Sequence, residues 1–508
     1  MKKYETTLNG PSFEIEPLCL YELFERCAEK LPNNIALVFQ QDHLSYKSLN
    51  ENANKLAHVL LEMGFSEKTR IGIYFTKSIE MVIAIIAINK IGATYIPLDP
   101  NFPSNRLKAI IEDSTPACIL VNTKINFPLS KDTCEIIEYS YKNEKWSHFD
   151  STNPKEGSFF NNPIYILYTS GSTGNPKGIE QVNRASSNLI QWQNRCMGID
   201  FKKPVLQFTS ICFDVSLQEI FSPLSQGGTV IIAGDEERLD VERLLCLIKR
   251  YDISTAFLSV STFLNFFHDI KLLEKIPNCL TDVITAGEQI IVNDSVRTFL
   301  SNRPNFRLHN HYGPSEALVI TSHIYSYSLN NIVNRPPVGK PIQNVKIKIV
   351  PSNKSSETNR KKGEIWVSGI CLAKGYINLD DITNKNFINY EKDRWYKTGD
   401  IVRLDQKEDI EFLCRTDDQI KIDGKLVELS EIEKIFSLYS KIHEFIIKAF
   451  NSENNKVVVG YYTSSERIDS KDLRNHFRDY LPDYMTPTHF INRFNKTSSP
   501  FQSPQCYI

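Results

Sequence analysis

Apolar residues in the first part of the chain fall at two alternating spacings. In "SYKSLNENANKLAHVLLEMG" they recur every three or four positions, and the stretch ends in glycine, which predicts an amphipathic helix with a stop. "TRIGIYF" follows as a short apolar run of strand length, then a helical pattern through "SIEMVIAIIAINKIG", then a second strand in "ATYIPLD". The same kind of run returns at "PACILV", "PVLQFT" and "GTVIIAG". Continuous apolar strands between helices predict α/β architecture with buried sheets up to about residue 400. From Asp417 onward the pattern is that of a compact α+β unit. It has a helix in "EIEKIFSLYS", strands in "EFIIKAF" and "KVVVGYYTS", and a helix in "SKDLRNHFRDYL". The division expected is 1–416 as a large N-terminal part of stacked α/β subdomains and 417–508 as a small mobile C-terminal domain. The polar run "PSNKSSETNRKKG" (351–363) reads as an exposed loop.

Composition narrows this little but usefully. A chain of 508 residues exceeds what one core usually supports. With 59 basic and 60 acidic side chains there is no electrostatic reason to expect nucleic acid or an anionic membrane as partner. Eleven cysteines without a CxxC pair argue against a metal cluster or a disulfide framework and for a reducing compartment. The most apolar helix is interrupted at Asn89 and Lys90, too early to span a bilayer, and the N-terminus has no apolar core of signal-peptide length. The expectation is a soluble, cytoplasmic monomer.

The chemistry starts at "YTSGSTGNPKGI" (168–179). Glycines allow a backbone to turn N–H groups toward an anion, hydroxyls add donors, and lysine adds a mobile charge. The nucleotide P-loop requires Gly-Lys-Ser/Thr in succession; Lys177 instead lies between Pro176 and Gly178, so that template fails.

Together with this loop, "LSYKSLNENANKLA", "KIGATYIPLDP", "FDVSLQEIF", "HNHYGPSEA", "GEIWVSGICLAKGY", "YKTGDIVR", "RTDDQIKIDGKLVELSEIE" and "LPDYMTP" occur in this order. Over nearly the whole chain the sequence resembles the adenylate-forming enzymes, in particular the amino-acid adenylation domains of nonribosomal peptide synthetases. The resemblance implies an enzyme that joins a carboxylate to the α-phosphate of ATP, releases pyrophosphate, and passes the acyl group to a thiol. It also implies roles for residues. Thr169, Ser170, Gly171, Ser172, Thr173, Gly174 and Lys177 would hold the β- and γ-phosphates. Asn310 would bond the adenine edge and Tyr312 would stack on it, next to Gly313. Asp400 would accept the ribose hydroxyls, with Arg415 near ribose and phosphate. Glu316, with Thr173, would hold Mg²⁺; Lys177, Glu316 and Arg415 are the catalytic candidates.

The positions that line the substrate pocket in such domains fall on Asp214, Val215, Gln218, Phe257, Ile284, Ala286, His311, Val319 and Ile320. A carboxylate at Asp214 is the natural partner of an α-ammonium, although Asp214 also suits the cap of a helix starting at Val215. The set is similar to that of proline-activating members, and its apolar walls suit a small ring. L-Proline is the expected substrate, pipecolate or another small apolar residue the alternative.

The resemblance further implies a hinge at Asp417, close approach of a pantetheine arm at Gly424, and a separate phosphopantetheinylated carrier protein. Acyl-CoA ligase and a catalytically weak nucleotide or amino-acid binder are the competing readings. Three positions depart from the family pattern. Cys414 replaces a glycine, Asn183 stands where a histidine is common, and Ser503 occupies the place of a catalytic lysine. No lysine follows Lys496, so adenylation is expected to be impaired.

Overall fold

The computed structural model describes the chain apart from residues 1–4, 123–133, 156–158, 172–174, 269, 327–333, 352–360, 417–418, 423–424, 452–455, 465, 467 and 493–508. Ser172, Thr173, Gly174, Asp417, Gly424, Lys496, Ser503 and most of the expected 351–363 loop lie outside the described residues.

The helices named from the sequence form, and two of them start at serine caps. Ser45 accepts a bond from the Ser48 N–H and starts Tyr46–Glu62; Ser78 accepts from Met81 and starts Ile79–Lys90. Ile79–Lys90 is buried on every face because it passes between packed layers, which explains its apolar character without a membrane. No described helix is long and apolar enough to cross a bilayer.

Among the described residues the large part holds a nine-stranded and a seven-stranded sheet. In the nine-stranded sheet, Val205–Gln207, Thr255–Ser259, Asp282–Ala286 and Arg307–Tyr312 run parallel and side by side. The seven-stranded sheet holds Arg70–Tyr74, Thr94–Pro97, Pro163–Thr169 and Lys177–Val182. A third, six-stranded sheet departs from the alternating pattern expected up to residue 400. Its strands Val345–Val350, Lys362–Gly369, Asp393–Leu404 and Ile410–Arg415 pair antiparallel. In "VKIKIV" polar and apolar residues alternate as an antiparallel strand allows; Lys346 is exposed, while Lys348 is buried and pairs with Glu5 and Glu391.

The C-terminal unit carries its own core around Phe436, Phe477, Leu473 and Met485. It has a short hairpin, Gln419–Ile422 with Lys425–Glu428, then the helix Leu429–Ser437, a three-stranded sheet, and the helix Ser470–Arg478.

Candidate active site

Parallel strands of an open sheet present their carboxyl ends to one crevice. Here Ser259, Ala286 and His311 stand in register at the ends of three neighbouring strands. All three line a cleft of about 1360 Å³, and Phe257 and Ile284 line it two residues deeper. Strand alternation explains the next finding. His311 faces the cleft, so Asn310 points to the other face, where its Nδ2 donates to the Pro337 carbonyl at 2.9 Å. Asn310 is thus turned away from the cleft, whereas Tyr312, at the strand's end, reaches Asp400 with its hydroxyl and carries Lys421 over its ring. Val319 and Ile320 lie behind the cleft wall, buried in a turn that folds back on the strand through Ile320 N–H to the Tyr312 carbonyl. That turn needs Gly313, where a Cβ would sit 1.6 Å from the Leu318 carbonyl oxygen.

The cleft gathers most of the other expected residues: Thr169, Ser170, Lys177, Asp214, Val215, Gln218, Glu316, Asp400 and Arg415. Asp214 immediately precedes the helix Val215–Leu224, but its side chain makes no capping bond, which sets aside the cap reading. Burial pushes its carboxyl up to about 6; the Val215 N–H opposes this, the negative charge of Glu316 adds to it, and Lys421 opposes it. Gln218 accepts from Gln193 Nε2 at 2.7 Å, which fixes its amide. Among the described residues neither buried ring nitrogen of His311 has a partner, and burial lowers its pKa to about 3, so the ring is neutral.

On the opposite wall, Glu316 accepts the Tyr376 hydroxyl at 2.6 Å, and Tyr396 lies 3.4 Å beyond. Asp400 accepts the Tyr312 hydroxyl and an Arg415 N–H on its two oxygens. The loop Phe208–Ser210 forms a third wall. The carboxylate of Glu219 pins it by accepting the Thr209 N–H at 3.0 Å and hydroxyl at 2.8 Å, and the buried ammonium of Lys77 by donating to the Thr209 carbonyl.

The C-terminal unit closes the remaining side. Ser170 Oγ donates to the Leu426 carbonyl at 2.6 Å and accepts the Glu428 N–H at 3.1 Å. Lys177 Nζ lies 3.6 Å from Glu428 Oε1. Glu431 makes a buried ion pair with Arg106 at 2.8 Å. Lys421 sits over the Tyr312 ring, 5.9 Å from its centroid. None of Arg106, Tyr376, Lys421, Glu428 and Glu431 was singled out from the sequence. Four of them stand inside quoted segments or next to one, and only a three-dimensional register shows what they face. Asn183, one of the departures, heads the helix Asn183–Cys196, donates to the Phe159 and Asn162 carbonyls, and stays out of the cleft.

A family model described as AMP-binding enzyme matches residues 24–377. The chain belongs to the AMP-binding enzyme family. It is 34% identical over 479 residues to gramicidin S synthase 2 of Brevibacillus brevis, covering 93% of this chain and 10% of that protein. The chain thus spans about a tenth of that relative's length. It is 32% identical to zwittermicin A synthase ZmaJ of Bacillus cereus, covering 93% of this chain and 91% of ZmaJ. Its fold matches an artificially fused adenylation–PCP di-domain from Klebsiella oxytoca, with a TM-score of 0.81 at 22% identity over 94% of both chains. The AMP-binding enzyme is thus an adenylate-forming ligase of the peptide-synthetase type, mixed α/β in fold, with its cleft between the large part and the C-terminal unit.

Proposed function

We propose that this enzyme activates an amino acid with ATP, releasing pyrophosphate, and transfers the aminoacyl group from AMP to the thiol of a phosphopantetheine-bearing carrier protein. The observation that carries the amino-acid reading is Asp214, an acid set against Phe257, Ile284 and Ala286 at the cleft. A carboxylate there pairs with an α-ammonium; a fatty or aryl acid brings no cation to repay its desolvation. L-Proline is the substrate proposed, because the walls beside Asp214 are apolar and small, and neutral His311 offers no countercharge.

The donor set suits a nucleotide. Hydroxyl, backbone N–H and ammonium converge at Ser170, Gly171 and Lys177, and Asp400 retains acceptor capacity beyond its two bonds, as a carboxylate has about four lone-pair sites. Glu316 would hold Mg²⁺, which supplies neutralising charge on phosphate oxygens when bound. One carboxylate suffices, because this ion takes most of its other ligands from phosphates and water. Among the described residues there is no cluster of three acidic, histidine or cysteine groups that would hold a metal by themselves.

Asp214 orients the amino acid so that its carboxylate oxygen meets the α-phosphorus. Lys177 and the loop donors hold the departing phosphates. Pyrophosphate exchange across a panel of amino, fatty and aryl acids tests the proposal. Exchange with proline and its ring analogues is expected. Exchange confined to fatty or aryl acids would identify an acyl-CoA ligase, and nucleotide binding without exchange would identify a binding protein.

A further inference from the structure

Asp214 stands on a segment whose two ends are tied together by one buried carboxylate. Farther along the helix Val215–Leu224, Glu219 is fully buried and reaches back to Thr209, ten positions earlier. It accepts the Thr209 N–H at 3.0 Å and hydroxyl at 2.8 Å, and Gln207 Nε2 at 2.8 Å. Lys77 closes the network, its ammonium donating to Gln207 Oε1 and to the Thr209 carbonyl. Lys77 lies between the strand Arg70–Tyr74 of the seven-stranded sheet and the helix Ile79–Lys90, whereas Gln207 ends a strand of the nine-stranded sheet. The network thus joins two sheets at the start of the loop that leads into Asp214. Ser210 adds a tie within that loop, donating to Asp99 Oδ2 at 2.8 Å.

Burial lowers the pKa of Lys77 and raises that of Glu219, while the charge of each works against the other's shift. Such a pair adds little net stability over apolar residues of the same volume, but its bonds fix direction, which packing alone does not. Here they hold the N–H, the carbonyl and the hydroxyl of Thr209 at once. Asp214 itself makes no capping bond, so its place at the cleft is set chiefly by the backbone that carries it. We propose that Glu219 and Lys77 are positioning residues for Asp214: with Gln207 and Thr209 they fix the segment Thr209–Glu219, and with it the point in the cleft where Asp214 meets the substrate ammonium. The inference rests on the pairing of Asp214 with that ammonium in the proposed function. Lys177, Glu316 and Asp400 stand on other segments, so the network serves the amino acid and leaves the nucleotide alone.

The test follows proline-dependent pyrophosphate exchange in the full chain, reading KM for proline and KM for ATP separately. Glu219→Gln and Lys77→Met break the network, and Thr209→Val is a milder change that removes only the hydroxyl. Proline KM is expected to rise about tenfold in Glu219→Gln and Lys77→Met and about threefold in Thr209→Val. ATP KM is expected to stay the same, which also shows that the variants are folded. The deciding measurement is a double-mutant cycle with Asp214→Asn, because residues that act through one group are not additive. In the Asp214→Asn background the same changes are expected to alter kcat/KM for proline by no more than about twofold. Should Glu219→Gln and Lys77→Met fail to fold, Thr209→Val decides by the same cycle. Additive effects, an equal rise in both KM values, or an unmoved proline KM would overturn the inference. An Asp214→Asn chain with an unchanged proline KM overturns the reading of Asp214 and this inference with it. A raised KM there beside additive effects overturns this inference alone.

Discussion

The Tyr312 hydroxyl donates to Asp400 Oδ2 at 2.5 Å, joining the end of a sheet strand to the antiparallel sheet across the cleft. Arg415 takes the other oxygen at 2.6 Å. Asp400 is 2% exposed, so these partners stand where water would otherwise bond its oxygens. Asp400→Asn removes the buried carboxylate that Arg415 pairs with and is expected to cost about 3 kcal/mol of stability, as breaking buried pairs does. Tyr312→Phe removes one neutral donor and should cost about 1 kcal/mol. Chemical denaturation measures both. Equal losses would mean that Arg415 contributes nothing to holding Asp400.

The pH dependence follows from Asp214. Its carboxyl titrates near 6 against an ordinary value of 3.8, raised chiefly by burial. The sign is that of a raised acid: the ligand-free fold is favoured by protonation, and this advantage is lost as pH rises from about 4 through 6. Substrate binding runs the other way, because only the carboxylate pairs with an ammonium. Affinity for the amino acid should rise up to about pH 6 and level off above it, read as KM against pH. Lys421→Ala removes a charge that holds this pKa down, so its midpoint should move upward. A midpoint that moves downward would place Lys421 away from Asp214.

His311 is expected to be silent in that profile. Burial already keeps it neutral well above its lowered pKa of about 3, so no step near the ordinary histidine value belongs to it. Its two nitrogens have no partner among the described residues, so His311→Leu should leave stability unchanged or raise it by about 1 kcal/mol. The same variant should alter the relative exchange rates of proline and larger apolar residues, since the ring borders the pocket. Loss of several kcal/mol on denaturation would show instead that the ring carries a bond important to the fold.

Local signals made much of this legible. Apolar residues at every third or fourth position announced the helices Tyr46–Glu62 and Ile79–Lys90, and the apolar runs announced the parallel strands. The loop around Lys177 and the acid at Asp214 drew attention through residue type and motif context, and the structure brings both to one cleft. What one dimension cannot carry is the direction in which a side chain points. Asn310 and His311 are neighbours in sequence, yet strand alternation sends one to the Pro337 carbonyl and the other to the cleft. Glu431 drew no attention in the sequence, standing in the first turn of a helix. Only the docking of the C-terminal unit sets it against Arg106, far away in the chain.

The last expectation concerns Ser503. The resemblance implies a lysine that bridges the substrate carboxylate and phosphate, and counting along the chain puts its place at Ser503. Charge builds on the oxygens between carbon and phosphorus as the adenylate forms, and a positioned cation at such a centre is typically worth about a hundredfold or more in rate. Ser503→Lys is therefore expected to speed pyrophosphate exchange by about that factor. Transfer of the aminoacyl group from preformed adenylate to pantetheine should stay the same in both proteins, because that step calls on the closed pose. Equal exchange rates in the two proteins would mean that another cation already serves. Lys421 is then the residue to remove next, since it lies at the cleft beside both Tyr312 and Asp214.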